Sequence, residues 1–333
     1  MKKILVTGGA GFIGNHLCKR LRDDGAYVVV IDRKMPEFGF APANEYFVHD
    51  LRNPIDYLSQ FRFESFDEVY SLAAEMGGAE YIFSGDNDAN IMHSSAMINL
   101  NVLEASRQAG VKKIFFSSSA CVYPTLNPIN VEFGDHYRMA CREDMAGNPD
   151  SPYGIEKLFS ESLYLAYGRN HGMDVRIGRF HNIFGSYGTW RGGREKAPAA
   201  FMRKIAEAGF EGEKHHGAID CFGDGRQTRS FMHVSECVEA TVRLMASSFT
   251  GPVNIGSSEM VSINQMIAMI CGIAGKAVAV EHILGPLGVR GRNSDNSLIE
   301  EKLGWKPSMT LRDGLEMTYP WIKEQVDKAR ATS

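Results

Sequence analysis

An α/β fold, a doubly wound parallel sheet followed by a smaller C-terminal α/β lobe, is what the order of residues in this chain predicts. Three observations lead there. Up to about residue 180, short apolar runs rich in β-branched residues alternate with longer stretches of helical apolar spacing, which is the pattern of βαβ units in a parallel sheet. The first apolar run passes directly into a glycine-rich segment and then an amphipathic stretch. Past Phe180 the alternation gives way to a long loop rich in glycine and charge.

Length and composition set the outer limits. A chain of 333 residues suffices for one large or two modest domains. The change of pattern divides it into a first domain at 1–180, with a return at about 227–250, and a second built from 181–226 and 251–330. Hydrophobic residues at 44% and charged residues at 23% are ordinary for a globular protein. A net charge of -4 gives no reason to expect nucleic acid or an anionic membrane as partner, and no apolar run is long enough to span a bilayer. The apolar start is too short for a signal peptide and reads as a first strand. Cys18, Cys121, Cys141, Cys221, Cys237 and Cys271 show neither C-x-x-C nor metal-site spacing. They read as reduced thiols of a cytoplasmic protein, with no metal.

Taken in order, residues 3–7 form a buried strand. Gly8, Gly11 and Gly14 then give G-x-x-G-x-x-G, with Phe12 and Ile13 opening the helix. Between a strand and a helix, such a loop lets backbone approach a pyrophosphate and aims a helix N-terminus at it, so a dinucleotide is expected here. Residues 27–31 are the second strand, and Asp32 ends it. A carboxylate there takes a ribose 2′-hydroxyl and repels a 2′-phosphate, favouring NAD over NADP; Arg33 and Lys34 are a contrary signal. Asp50 and Leu51 follow the third strand and are placed to edge the adenine, although a turn aspartate reads the same way. Residues 67–72 are the fourth strand. Ala73 and Ala74 after it are small enough for a cofactor to pass close, and 75–78 are a loop at the same edge.

Residues 87–109 have helical spacing, 112–118 read as the fifth strand, 153–170 as a helix and 173–179 as the sixth strand. Tyr153 and Lys157 share a helix face. Alone such a pair is more often a solvated surface. Beside a nicotinamide it moves a proton off a carbinol oxygen, with the lysine cation expected to lower the tyrosine from its usual pKa of about 10. Ser119 would be the second hydroxyl on that oxygen. Cys121 ends the strand run, where open α/β sheets place active-site residues; a small buried cysteine is the plainer reading. After the loop 182–196, a helix starts near Ala197 with Pro198 in its first turn. Lys196 just before it should have its pKa lowered by the positive end of the helix dipole. Residues 223–225 are a turn, and 289–293 a basic loop suited to phosphates.

Together these residues resemble the extended short-chain dehydrogenase/reductases that act on nucleotide sugars, over nearly the whole chain. Three segments narrow the resemblance: Ser118-Ser119-Ala120-Cys121-Val122-Tyr123-Pro124; Arg179-Phe180-His181-Asn182-Ile183-Phe184-Gly185 running on through Gly192-Gly193-Arg194-Glu195-Lys196-Ala197-Pro198-Ala199-Ala200-Phe201; and Gly288-Val289-Arg290-Gly291-Arg292-Asn293-Ser294-Asp295-Asn296. Within the group they are similar to GDP-mannose 3,5-epimerases. The resemblance implies a Rossmann domain holding NAD, and a homodimer through two long helices of that domain. It implies that Tyr153 and Lys157 serve a transient oxidation at C4, while Cys121 and Lys196 form the acid–base pair that inverts the neighbouring carbons. It also puts Gly77, Asn182, Glu195, Lys196, Lys204, Gln227, Thr228, Arg229 and Arg292 at the GDP-sugar. The guanine base rests on resemblance alone.

That chemistry accounts for the residue types. Protons on C3 and C5 become acidic only once C4 is a carbonyl. Inversion then needs a base on one ring face and an acid on the other, and a thiol and a lowered amine can trade protons near pH 7. The expected conversion is GDP-D-mannose to GDP-L-galactose, with GDP-L-gulose as an alternative product. The chain departs from the resemblance at 142–149, around His215-His216-Gly217, and at Ser95, where extended dehydrogenases commonly carry Asn. Two other readings share parts of the pattern. A nucleotide-sugar 4-epimerase or 4,6-dehydratase needs Tyr153 and Lys157 but neither Cys121 nor Lys196. A non-catalytic NAD sensor needs neither pair.

Overall fold

A computed structural model of the chain describes residues 1–39, 42–56, 66–124, 140–208, 217–285 and 291–332. The first strands are β1 (Lys3–Thr7), β2 (Tyr27–Asp32), β3 (Glu45–Val48), β4 (Glu68–Ser71), β5 (Lys113–Ser119) and β6 (Asp174–Phe180). Between them run the helices α1 (Phe12–Asp23), α2 (Ala79–Phe83), α3 (Asp88–Gln108) and α4 (Pro152–His171). Next come β7 (Ile183–Phe184), α5 (Ala197–Glu207), β8 (Ala218–Phe222), β9 (Thr228–Arg229), β10 (Met232–His233), α6 (Val234–Ala246) and β11 (Pro252–Ile255). The chain closes with β12 (Val261–Ser262), α7 (Ile263–Ala274), β13 (Ala279–Ile283), β14 (Gly291–Arg292), α8 (Ser297–Leu303) and α9 (Leu311–Ala331).

Seven strands pair in parallel in the order β3-β2-β1-β4-β5-β6-β11. The doubly wound sheet expected from the alternation is therefore present. Its last strand lies beyond 227–250, the segment expected to return. Strand side chains alternate between faces. Leu5, Val29 and Val69 join Val102, Leu103 and Tyr164 of α3 and α4 on one side. Ile4, Val6 and Val30 join Leu17 of α1 and Cys237 and Leu244 of α6 on the other. Because β1 is flanked by β2 and β4, the strand order reverses there. The crevice beyond its carboxyl end is where such sheets take ligands.

The smaller lobe has its own core, in which Met202 and Ile205 of α5, Met266 and Ile270 of α7, and Leu315 and Ile322 of α9 meet. Among the described residues no helix is long and apolar enough to cross a membrane, and no cluster of His, Cys, Asp or Glu could hold a metal ion.

Candidate active site

One cavity of about 780 Å³ follows the carboxyl edge of the sheet and continues under the second lobe. Gly8, Gly11, Phe12, Ile13, Gly14, Asp32, Asp50, Leu51 and Ala73 line it, as do Ser119, Cys121, Tyr153 and Lys157. Gly77, Asn182, Lys196, Gln227, Arg229 and Arg292 line its other end.

At the β1 end the backbone is packed to contact. Gly8 has φ +75°, and a Cβ there would stand 2.7 Å from the Ala73 nitrogen. A Cβ on Gly14 would stand 2.3 Å from the Gly8 carbonyl oxygen. Both positions therefore exclude a side chain. Helix α1 starts at Gly11 with no side-chain cap, so its first N–H groups are open to an anion in the cavity. Asp32 Oδ2 accepts from the Ala10 N–H at 3.1 Å and Oδ1 from the Lys34 N–H at 3.3 Å. Burial raises its pKa. Asp50 is gripped by Arg52, Nε to Oδ1 at 3.0 Å, which holds its carboxyl down at about 2. The Leu51 carbonyl accepts from Asn101 Nδ2 at 2.9 Å. Close-packed glycines, an uncapped helix start and a carboxylate ending β2 together fit an adenine dinucleotide.

The catalytic candidates converge at the end of β5. Ser119 caps a single turn of 3-10 helix, Ala120–Val122, and its Oγ accepts from the Cys121 N–H at 3.2 Å. Cys121 thus sits just past the strand, in this turn. Helix α4 begins at Ser151, whose Oγ accepts from the Gly154 N–H at 3.2 Å, with Pro152 in the first turn. Its start presses against the turn: a Cβ on Gly154 would lie 2.0 Å from the Cys121 carbonyl oxygen. That closeness brings Tyr153 alongside Cys121. Lys157 Nζ donates to the Ser117 carbonyl at 3.0 Å and lies 5.7 Å from the centre of the Tyr153 ring.

The charge balance differs from expectation at the tyrosine. Burial pushes Tyr153 up, and the charges of Cys121 and Glu156 add to it. Burial also pushes Lys157 down, weakening the cation that was expected to lower the phenol. Lys196 is lowered as expected, but burial is the cause that dominates; the residue caps the start of α5. Cys121 is raised, first by burial and then by Asp150, with Arg292, Ser119 and Lys196 opposing.

At the far end, Arg229 and Arg292 are cross-strand partners on β9 and β14. Arg292 Nη1 donates to Asp150 Oδ2 at 2.8 Å. Burial and its neighbour Arg292 lower Arg229 to about 10, so the pair is a place where a diphosphate would relieve repulsion. Asn182 holds φ +40° and donates from Nδ2 to the Ser230 carbonyl at 3.0 Å. Gln227 Nε2 donates to the Phe222 carbonyl at 3.0 Å, and its Oε1 is buried without a hydrogen-bond partner among the described residues.

Three expected substrate residues stand outside the cavity wall. Glu195 lies between two wall residues, Arg194 and Lys196. Its Oε1 accepts from Arg203 Nη2 at 3.0 Å, while Oε2 is buried without a partner among the described residues. Lys204 is bound to Asp220 Oδ1 at 2.9 Å, and Thr228 is buried beneath Gly291. Gly288, Val289, Arg290, His215 and His216 lie outside the described residues.

Two acidic residues were not read as functional from sequence. Asp150 joins Arg292 across 142 positions, and its N–H donates to the Cys121 carbonyl at 3.2 Å; no local pattern marks such a pairing. Glu75 is buried in the cavity wall. Its N–H donates to Ser95 Oγ at 3.1 Å, and its Oε1 accepts from Tyr81 OH at 2.8 Å. An acidic residue beside two glycines at a sheet edge was the available signal.

Known proteins place this geometry. The model of the NAD dependent epimerase/dehydratase family matches residues 4–256. The chain is 45% identical to the GDP-mannose 3,5-epimerase of Arabidopsis thaliana, over 99% of its own length and 84% of that protein's. It is also 45% identical to GDP-mannose 3,5-epimerase 1 of Oryza sativa subsp. japonica, over 98% and 83%. The solved UDP-glucuronic acid 4-epimerase from Bacillus cereus, in complex with UDP-glucuronic acid and NAD, superposes with a TM-score of 0.80 at 27% identity, covering 97% of this chain and 99% of that one. The family match runs from the first strand of the large sheet to its last, and the chain belongs to the NAD dependent epimerase/dehydratase family.

Proposed function

We propose that this chain is a GDP-mannose 3,5-epimerase, converting GDP-D-mannose to GDP-L-galactose, with GDP-L-gulose as an alternative product. The observation that carries the reading is that Cys121 and Lys196, 75 residues apart in sequence, line one cavity beside Tyr153 and feel each other's charge. A 4-epimerase or a 4,6-dehydratase has no use for that second pair. The likeness to two plant GDP-mannose 3,5-epimerases supports the same substrate.

Bound against the glycine loop, NAD supplies a hydride acceptor and donor, so oxidation and re-reduction at C4 leave no net redox change. Tyr153 takes the proton of the C4 hydroxyl in its phenolate form, the form that burial disfavours, with Ser119 on the same oxygen and Lys157 fixed beside it by the Ser117 carbonyl. Burial favours the uncharged forms of both Cys121 and Lys196. The amine therefore acts as base and the thiol as acid across the ring, through an enolate next to the C4 ketone. Arg229 and Arg292 hold the diphosphate, and Gly77, Asn182 and Gln227 surround the sugar nucleotide. Glu195, Lys204 and Thr228 support this wall from behind. The work divides between a cofactor domain at 1–180, with its return, and a nucleotide-sugar lobe.

We extend the reading to a cytoplasmic homodimer. Met92 and Leu100 on α3 and Ile155 and Phe159 on α4 are exposed apolar residues on the two long helices. The six cysteines are free thiols.

The test is product NMR from GDP-mannose in deuterated water. Deuterium should enter at each inverted carbon, C3 or C5, while hydrogen at C4 is retained. Tyr153→Phe should abolish oxidation and epimerisation together. Cys121→Ser should still oxidise C4 and lose about 10²–10⁴ in deuterium uptake. Retention of hydrogen at both C3 and C5 in the products would mark a 4-epimerase instead.

A further inference from the structure

Arg33 and Lys34 follow Asp32 directly, and cations in that place are what a ribose 2′-phosphate uses. Arg52 stands near them on the same cavity wall. All three are engaged by carboxylates. Lys34 Nζ lies 3.0 Å from Glu37 Oε2, Arg52 Nε lies 3.0 Å from Asp50 Oδ1, and Arg33 Nη1 lies 3.2 Å from Glu75 Oε2.

The first two pairs join side chains close in sequence and open to solvent, and such pairs form and break at little cost. The third is built differently. Glu75 follows β4 while Arg33 follows β2, so their ion pair crosses the end of β1, over the glycine loop. The glutamate side chain is only 8% exposed, against 57% for the arginine. It is fixed from three further directions: Tyr81 OH at 2.8 Å and Arg194 Nη1 at 3.2 Å on Oε1, and Ser95 Oγ at 3.1 Å on its own N–H. The exposed partner is therefore Arg33, and the anchor is Glu75.

We propose that Glu75 is a specificity-determining positioning residue, which selects NAD over NADP by drawing Arg33 away from the place of a 2′-phosphate. Asp32 repels that phosphate, and Glu75 withholds the one of the three cations that is held by a buried carboxylate, leaving only Lys34 and Arg52 to offset the repulsion. The proposal rests on the dinucleotide site described above and adds a residue to its discrimination.

Equilibrium dialysis of nucleotide-stripped protein against NAD and NADP gives the ratio of the two affinities without turnover. Wild type should prefer NAD. Glu75→Gln, which keeps shape but releases Arg33, should shift the ratio toward NADP by about tenfold or more, the scale of a charge-assisted contact to phosphate. Adding Arg33→Ala to that variant should remove the gain, which a merely structural effect of Glu75→Gln would not do. An unchanged ratio in Glu75→Gln, or a gain that survives Arg33→Ala, overturns the proposal. Should Glu75→Gln not fold, Arg33→Ala alone decides. With Arg33 already withheld it should leave the ratio as in wild type, and a tenfold loss of NADP affinity would refute the idea. Wild type that binds neither nucleotide would overturn the dinucleotide site itself, and this proposal with it.

Discussion

Cys121 and Lys196 are both moved by burial toward their uncharged forms, the thiol upward and the amine downward. The sign of the pH dependence follows. As pH rises, the amine becomes a base earlier than the roughly 10.4 of a free lysine, so deuterium uptake at C3 and C5 should rise through that lowered pKa. The thiol keeps its proton beyond the roughly 8.5 of a free cysteine, so uptake should fall only above it. Serine does not titrate in this range, so Cys121→Ser should abolish the alkaline limb of its residual rate. A limb that stays in place would take the cysteine out of the proton transfer. The residue types needed for this chemistry were legible in sequence, and so was the direction for Lys196. The direction for Tyr153 was not, because its burial depends on α2, α3 and the Cys121 turn packing around it, and no local pattern records that. Its pairing with Lys157 suggested a lowered pKa where desolvation raises it.

At the scale of elements, the start of α4 and the turn after β5 act as one unit, because Gly154 lets the helix backbone meet the Cys121 carbonyl. Gly154→Ala would put a methyl group 2.0 Å from that oxygen. The helix start would have to back away, and Tyr153 with it. A displacement near 1 Å at a reacting group costs about 10² in rate. C4 oxidation, followed as nicotinamide absorbance at 340 nm in single turnover, should fall by that factor while circular dichroism stays unchanged; full activity would mean that this contact is dispensable. The first six strands of the large sheet and its long helices fall close to where apolar periodicity put them, since that signal is local. What escaped sequence was contact at long range. Asp150 meets Arg292 and Glu75 meets Arg194 across more than a hundred positions. Lys204 turns to Asp220 on a neighbouring strand instead of the cavity.

For the whole molecule, the two long helices α3 and α4 cover one face of the sheet and leave Met92, Leu100, Ile155 and Phe159 in solvent. In a homodimer these would be the contact, and Phe159→Glu would place charge within it. Sedimentation should then show monomers where wild type shows dimers; a wild-type monomer would refute the dimer. A last consequence comes from how the cavity wall is distributed along the chain. Its dinucleotide end is written by residue 157, apart from the covering loop, whereas Arg229 and Arg292 arrive much later. Domains form in the order in which they leave the ribosome. The sheet behind that end, however, gains its outer helix with α6 (Val234–Ala246) and its last strand with β11 (Pro252–Ile255), so the emerging polypeptide completes the berth for its nucleotide only after Arg229 has been made, and Arg292 alone is the late arrival.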